Sequence, residues 1–398
     1  MTTGKPWVRA ACLRLSIPLL CVWLALVPTA HASETSVTSE IAAPYQALLL
    51  QTPGASGLLH VVASAPLDVG NPAITTAVIA VHGHSRDVMR TFQATTAAAG
   101  ASQMAHTLVL APVFQVAAAR ATRCHSPGLP AAQAGDLLWT CSSWQQGAAA
   151  QNTPGITPIT AFMAIDQLVA HVLQQFPSVK TVTIAGFSAG GQLVQRYVGL
   201  ATASVRPVHR RYVVGSPSSW LYFDPERPLP TRDGHAADWS TCTTETCEFT
   251  LSKPAAADSG TCPGYDQWKY GTGHWPTTHG RSATEARAAY VAADVTYLLG
   301  AQDTGSGKGT AYSVLDTTCS AQLQGPYRLQ RGLAYAAYDK ARLAGGAHRL
   351  MPPAEGCRHD VRCVFTSGSG RAALFPASTY EPTWPVAPPP PALAATQF

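Results

Sequence analysis

Val182-Thr183-Ile184-Ala185 runs straight into Gly186-Phe187-Ser188-Ala189-Gly190-Gly191, an apolar β-branched strand closing on Gly-x-Ser-x-Gly where an amphipathic helix, Ala189–Leu200, begins. A turn from strand to helix in so few residues demands glycine-sized neighbours at Gly186 and Gly190 and holds the central serine in a strained conformation above the sheet. The first N–H groups of the helix point to the same place, so the Ala189 amide is expected to stabilise negative charge developing on an attacked carbonyl oxygen. The motif is therefore read as a nucleophile elbow rather than a structural tight turn.

A serine hydroxyl needs a histidine to take its proton and a carboxylate to orient that histidine. In a doubly wound sheet both must follow later strands, at their carboxyl ends. Val295–Leu299 reads as a strand, and Asp303 falls in the loop after it. Asp294 precedes that strand, on the wrong edge, while Asp316 and Asp339 read as surface residues. Ala347–Met351 reads as the last strand, and His359 follows it; His348, within that strand, is the nearest rival, and His274 and His279 lie further off. The chain order Ser188, Asp303, His359 completes the expected triad. The second oxyanion donor is expected from His82-Gly83-His84-Ser85, after the first strong strand, with His84 the named candidate. His82-x-His84 has few carboxylates nearby to support a metal, and Gly305-Ser306-Gly307-Lys308-Gly309-Thr310 lacks the first glycine and the hydroxyl after the lysine that a phosphate loop requires, so neither a metal nor a cofactor is expected.

Outward from the elbow, apolar runs at Ala73–Val81, Thr107–Val113, Val179–Ala185 and Arg211–Gly215 alternate with helical spacing over Thr157–Phe176, which Pro177 ends. Strands alternating with helices predict an α/β architecture, a doubly wound and mostly parallel sheet covered on both faces. One domain is expected over 33–380. It carries insertions near 115–155 and 216–284 that are too long for featureless loops and hold several cysteines, so they read as disulfide-tied lids. The second is rich in aromatic residues, and Trp220, Tyr222 and Tyr270, with Trp268 and Trp275, are candidates for an apolar or aromatic acyl pocket. The Pro/Ala-rich tail 381–398 is expected to be disordered.

Residues 1–32 read as a signal peptide: Lys5, Arg9 and Arg14 precede an apolar run at Leu15–Val27 and a small-x-small site at Ala30-His31-Ala32. That run is too short, and too interrupted by Pro18 and Pro28, for a membrane anchor, so a secreted or periplasmic location is expected. Its removal lowers the formal charge from +5 to +2, by the three basic residues just named, and the remaining cations are scattered, which argues against nucleic acid as a partner. Of ten cysteines, Cys12 and Cys21 leave with the signal, and an even set in an exported chain reads as disulfides. Cys357 with Cys363, on either side of His359, and Cys242 with Cys247 are close enough to close small loops, although the sequence leaves the pairing open.

From His82-Gly83 to His359 the chain resembles the α/β-hydrolases. Ser188-Ala189-Gly190-Gly191-Gln192 with Arg196-Tyr197, Ser216-Pro217-Ser218-Ser219-Trp220 and Gln324-Gly325-Pro326-Tyr327-Arg328 are similar to exported bacterial and fungal members. The resemblance implies an α/β-hydrolase-type sheet and a serine-hydrolase mechanism, but no substrate. The expected activity is cleavage of a carboxylic ester, small or polymeric, through an acyl-enzyme. A peptidase or amidase on the same triad is the nearest alternative, and a non-catalytic binding protein of this fold is the other.

Overall fold

The β-branched and apolar runs assemble into an eight-stranded sheet, with the elbow strand flanked on both sides. In the computed structural model, which describes residues 45–376 except 154, 156, 243–245, 256–259 and 344–347, its strands are β1 (Tyr45–Thr52), β2 (Ala55–Ala63), β3 (Thr76–Val81), β4 (Thr107–Val113), β7 (Thr181–Phe187), β8 (His209–Gly215), β12 (Asp294–Leu298) and β13 (Arg349–Leu350). The order across the sheet is β1-β2-β4-β3-β7-β8-β12-β13. The pairs from β4 to β13 are parallel, whereas β1–β2 and β2–β4 are antiparallel. The expected signal peptide 1–32 and tail 381–398 lie outside the described residues. Among the described residues no helix is long and apolar enough to cross a membrane.

The central strands are buried along nearly their whole length, as strands covered on both faces must be. Helices Val88–Met104, Ala161–Gln175, Ala189–Leu200 and Arg328–Arg342 flank the sheet. Thr160 caps Ala161–Gln175 by accepting a hydrogen bond from the Met163 N–H, so the helix starts four residues later than the sequence pattern suggests.

The remaining strands belong to the insertions. β5 (Gln115–Val116) pairs with β6 (Leu138–Trp139), and β9 (Arg227–Arg232) lies between β10 (His235–Ala236) and β11 (Glu248–Ser252). The first insertion contributes to the core: Trp139 and Trp144 are fully buried, Trp144 stacks on Phe114 at 5.0 Å, and Trp139 meets the same ring edge-on at 5.1 Å. The structure pairs Cys124 with Cys141, Cys242 with Cys247, Cys262 with Cys319 and Cys357 with Cys363. Cys262–Cys319 therefore ties the second insertion to the segment after β12, a long-range link.

Candidate active site

Backbone crowding fixes the elbow. A Cβ on Gly186 would lie 2.2 Å from the Gly190 carbonyl oxygen, and one on Gly190 would lie 2.2 Å from that of Val81, so neither position accepts a side chain. Between them Ser188 takes φ 58° and ψ −118°, a strained conformation for a residue with a side chain. Its N–H bonds the Gly215 carbonyl at 2.8 Å, which anchors the turn to β8.

The loop after β12 brings Asp303 to the same edge of the sheet, and the loop after β13 brings His359. His359 Nδ1 lies 2.7 Å from Asp303 Oδ2. Both side chains are almost completely buried, and the imidazole packs against the Phe187 ring, next to the serine in the chain, at 4.8 Å. Asp303 Oδ1 has no hydrogen-bond partner among the described residues and lies 3.8 Å from Arg328 Nη1, so a cation backs the carboxylate. The His359 loop is held from several directions: its N–H bonds the Gly309 carbonyl, the Gln302 N–H bonds that of Cys357, and Asp360 caps helix Val361–Thr366. The glycine-rich stretch around Lys308 thus serves as the shelf on which the histidine loop rests.

Burial pushes the His359 pKa below its ordinary value, an effect only partly opposed by Asp303. The neutral, proton-accepting imidazole therefore persists to lower pH than an exposed one. Activity that needs it should fall on the acid side with a midpoint below 6.5, which a pH profile of kcat/KM measures; a midpoint above 6.5 would contradict the geometry.

Ser188 stands at the start of the elbow helix and beside Gly83. The Ala189 N–H belongs to the first turn of the elbow helix, where no carbonyl of the helix can reach it. Gly83 stands so close to Ser188 that its Cβ would lie 3.7 Å from that of the serine, its N–H is taken by Asp87 Oδ1, and the next residue, His84, lines the space at Ser188. His82 is structural. It is fully buried, accepts from the Phe114 N–H at Nε2 and meets the Gly83 carbonyl at Nδ1, and burial lowers its pKa to about 4.

A cleft of about 450 Å³ opens at Ser188, with His84, Gln145, Gln192, Lys269, Tyr270 and Asp316 among its walls. Two expectations for this cleft need correction. Trp220 and Tyr222 do not line it: both are fully buried, Trp220 stacked on Tyr335 at 4.3 Å and Tyr222 under the Arg227 guanidinium at 4.3 Å, because the chain after β8 dives into the core. Of the five candidate aromatics Tyr270 alone is among the residues that line the cleft, while Trp268 and Trp275 pack edge-on against each other at 5.1 Å. Asp316 and Asp339 are not surface residues either. Asp339 is buried against His348, whose other ring nitrogen meets the Tyr290 carbonyl, so this His–Asp pair is committed to packing. Asp316 lies in the cleft wall beside Lys269. Burial pushes its carboxyl up, but Lys269 and the hydrogen bonds from Tyr270 and Thr318 outweigh this and bring it down to about 2.

The sequence did not single out Gln145, Lys269 or Asp87 as site residues, and Gln192, Arg196 and Arg328 entered only through the resemblance. His274 is exposed, with φ 50°, outside the cleft.

The Cys357–Cys363 disulfide closes the loop that carries His359. A loop this small stabilises the fold by only roughly 2 kcal/mol in the entropy model. Its larger effect should be on the position of the base, so Cys357→Ala with Cys363→Ala is expected to lower kcat about tenfold or more while Tm moves by only a few degrees. Steady-state kinetics and thermal unfolding of the double variant check this, and an unchanged kcat would contradict it.

No family model and no curated protein matches the chain. Solved structures that it resembles include poly(aspartic acid) hydrolase-1 from Sphingomonas sp. KT-1, at 20% identity over 80% of this chain and 95% of that one, with a TM-score of 0.49. They also include LpqC, a poly(3-hydroxybutyrate) depolymerase from Bordetella parapertussis, at 17% identity over 80% of this chain and 86% of that one, TM-score 0.46. A third is the siderophore hydrolase EstB from Aspergillus nidulans, at 12% identity over 83% and 94%, TM-score 0.38. The fold follows from the chain's own topology: with antiparallel pairs confined to one edge and a strained serine where β7 turns into its helix, the chain is an α/β-hydrolase by fold.

Proposed function

We propose that the protein is an exported serine hydrolase that cleaves carboxylic esters through an acyl-enzyme on Ser188. The observation that carries the reading is the buried His359–Asp303 pair, packed on Phe187 beside a serine held at positive φ at the mouth of a cleft. His359 takes the Ser188 proton as the hydroxyl attacks the ester carbonyl, and returns it to the departing alkoxide. Asp303 holds the imidazole with its Nδ1–H occupied, leaving Nε2 to act as base. The Ala189 and His84 N–H groups stabilise the oxyanion, and water activated by His359 then releases the acid. Export is supported by the four disulfides together with the basic and apolar start of the chain.

A panel of 4-nitrophenyl esters and matched aminoacyl 4-nitroanilides, turned over by the mature protein, tests the reading. Esters should show a kcat/KM at least ~100-fold above the anilides, with a pre-steady-state burst close to one nitrophenol per protein where deacylation is slow. Anilides cleaved as fast as esters would favour an amidase instead, and no turnover of either would favour a binding protein.

A further inference from the structure

The amide and cationic groups beside Ser188 are arranged in one direction. Arg196 is buried and can only donate, and it reaches the Gln145 carbonyl at 3.0 Å, Ser219 Oγ at 3.1 Å and Gln192 Oε1 at 3.5 Å. Ser219 Oγ also donates to Gln192 Oε1, at 2.9 Å. The amide nitrogen of Gln192 must therefore face away, and it donates to Gln145 Oε1 at 2.7 Å. This relay leaves the NH₂ of Gln145, a residue of the cleft wall, without an acceptor among the described residues. Both amide oxygens are used internally.

The one carboxylate among the described cleft residues is also filled. Asp316 Oδ1 accepts from the Thr318 N–H and Oγ1, and Oδ2 from Tyr270 and from Lys269 Nζ at 3.1 Å. Lys269 has two further hydrogens. Behind the wall, Arg331 is buried on the main-chain carbonyls of Ser218 and Asp316, with Nη2 unpartnered, and neither it nor Arg196 is in an ion pair among the described residues. Cations thus outnumber carboxylates here, with Lys269 and Arg123 in the wall and Arg196 and Arg331 behind it, and the Gln145 NH₂ and the Lys269 ammonium have donors left over. His359 does not line this cleft. Because the base must meet the leaving oxygen, the alcohol lies on the His359 side and the acyl chain on the side of Gln145 and Lys269.

We infer that the cleft selects an acyl group ending in an anion, a carboxylate-bearing chain received by the Gln145 amide and the Lys269 ammonium. This deepens the esterase reading and rests on it. The test compares mono-4-nitrophenyl adipate with its methyl-capped diester, uncatalysed rates subtracted, using the wild-type mature protein. The free carboxylate should raise kcat/KM about tenfold or more, the scale of one charge-assisted hydrogen bond. The ratio should drop severalfold in Lys269→Met and again in Gln145→Leu, each first shown to be folded by circular dichroism. A capped ester cleaved as well as the acid by the wild-type protein overturns the assignment without reference to any variant, as does a preference that survives both substitutions. If neither ester is turned over and Ser188 takes no fluorophosphonate, the hydrolase reading itself has failed, and this assignment falls with it. Turnover of the neutral ester alone leaves the hydrolase standing and removes only the anionic acyl group.

Discussion

Ser188→Ala is expected to lower kcat/KM toward 4-nitrophenyl esters by roughly a hundred-thousand-fold or more, the loss seen when a triad nucleophile is removed. The protein should otherwise be unchanged. Alanine keeps the Cβ and the same positive φ, the residue 188 N–H still bonds Gly215, and the crowding of Gly186 and Gly190 does not involve the hydroxyl. Tm should therefore stay within a few degrees. Residual turnover above that level, in a folded variant, would mean that another group attacks the substrate.

Asp303→Asn should lower kcat about ten-thousand-fold with little change in stability. The main-chain bonds at this position, to Gly300 and from Leu329, do not depend on the side chain. The loss arises at His359. If the asparagine turns its NH₂ toward Nδ1, the imidazole must carry its proton on Nε2 and cannot accept one from the serine. If it turns its oxygen there instead, the NH₂ faces Arg328, where only donors would meet. Either way the negative charge that stabilises the imidazolium is gone. Asp360→Asn is the control: Asp360 pairs with Arg90 at the surface and caps a helix, so kcat should change less than about tenfold. A severe loss at Asp360 with a mild one at Asp303 would reverse the assignment of the acid.

The candidate site's placement was legible where chemistry and backbone demand coincide. Gly-x-Ser-x-Gly after a β-branched strand specifies a turn that only glycine fits and a serine held at positive φ at its tip. The placement of Asp303 and His359 after later strands follows from the one-sided geometry of a parallel sheet. Thr107–Val113 and Ala189–Leu200 were legible for a simpler reason, since an all-apolar run between polar turns and a regular apolar face have few alternatives. Residues whose surroundings come from distant segments were not legible. Trp220 and Tyr222 look alike whether they face a ligand or Tyr335, which is more than a hundred positions away in the sequence. Asp316 looked exposed because its partners Lys269 and Tyr270 arrive from the second insertion, far away in the sequence.

Helix Arg328–Arg342 escaped because its buried face mixes Leu329, Leu333, Tyr335 and Tyr338 with Arg328, Gln330, Arg331 and Asp339, which bond loop carbonyls, the Thr304 hydroxyl and His348, so the polar residues interrupt the apolar pattern. Val88–Met104 is alanine-rich and broken by Gly100 at φ 66°, which blurs its period. The β1–β2 hairpin left a weaker trace. Its turn at Pro53-Gly54, with Gly54 at φ 92°, is a recognisable signal, but β1 is an edge strand with a half-exposed face and carries less of the apolar pattern.

The central claim, that Ser188 is the residue acylated in turnover, is tested most directly by treating the mature protein with a fluorophosphonate and mapping the adduct by peptide mass spectrometry. A single adduct on Ser188 is expected, with loss of esterase activity in step with labelling and no adduct in Ser188→Ala. An adduct on another residue, or full activity in protein labelled at Ser188, would contradict it.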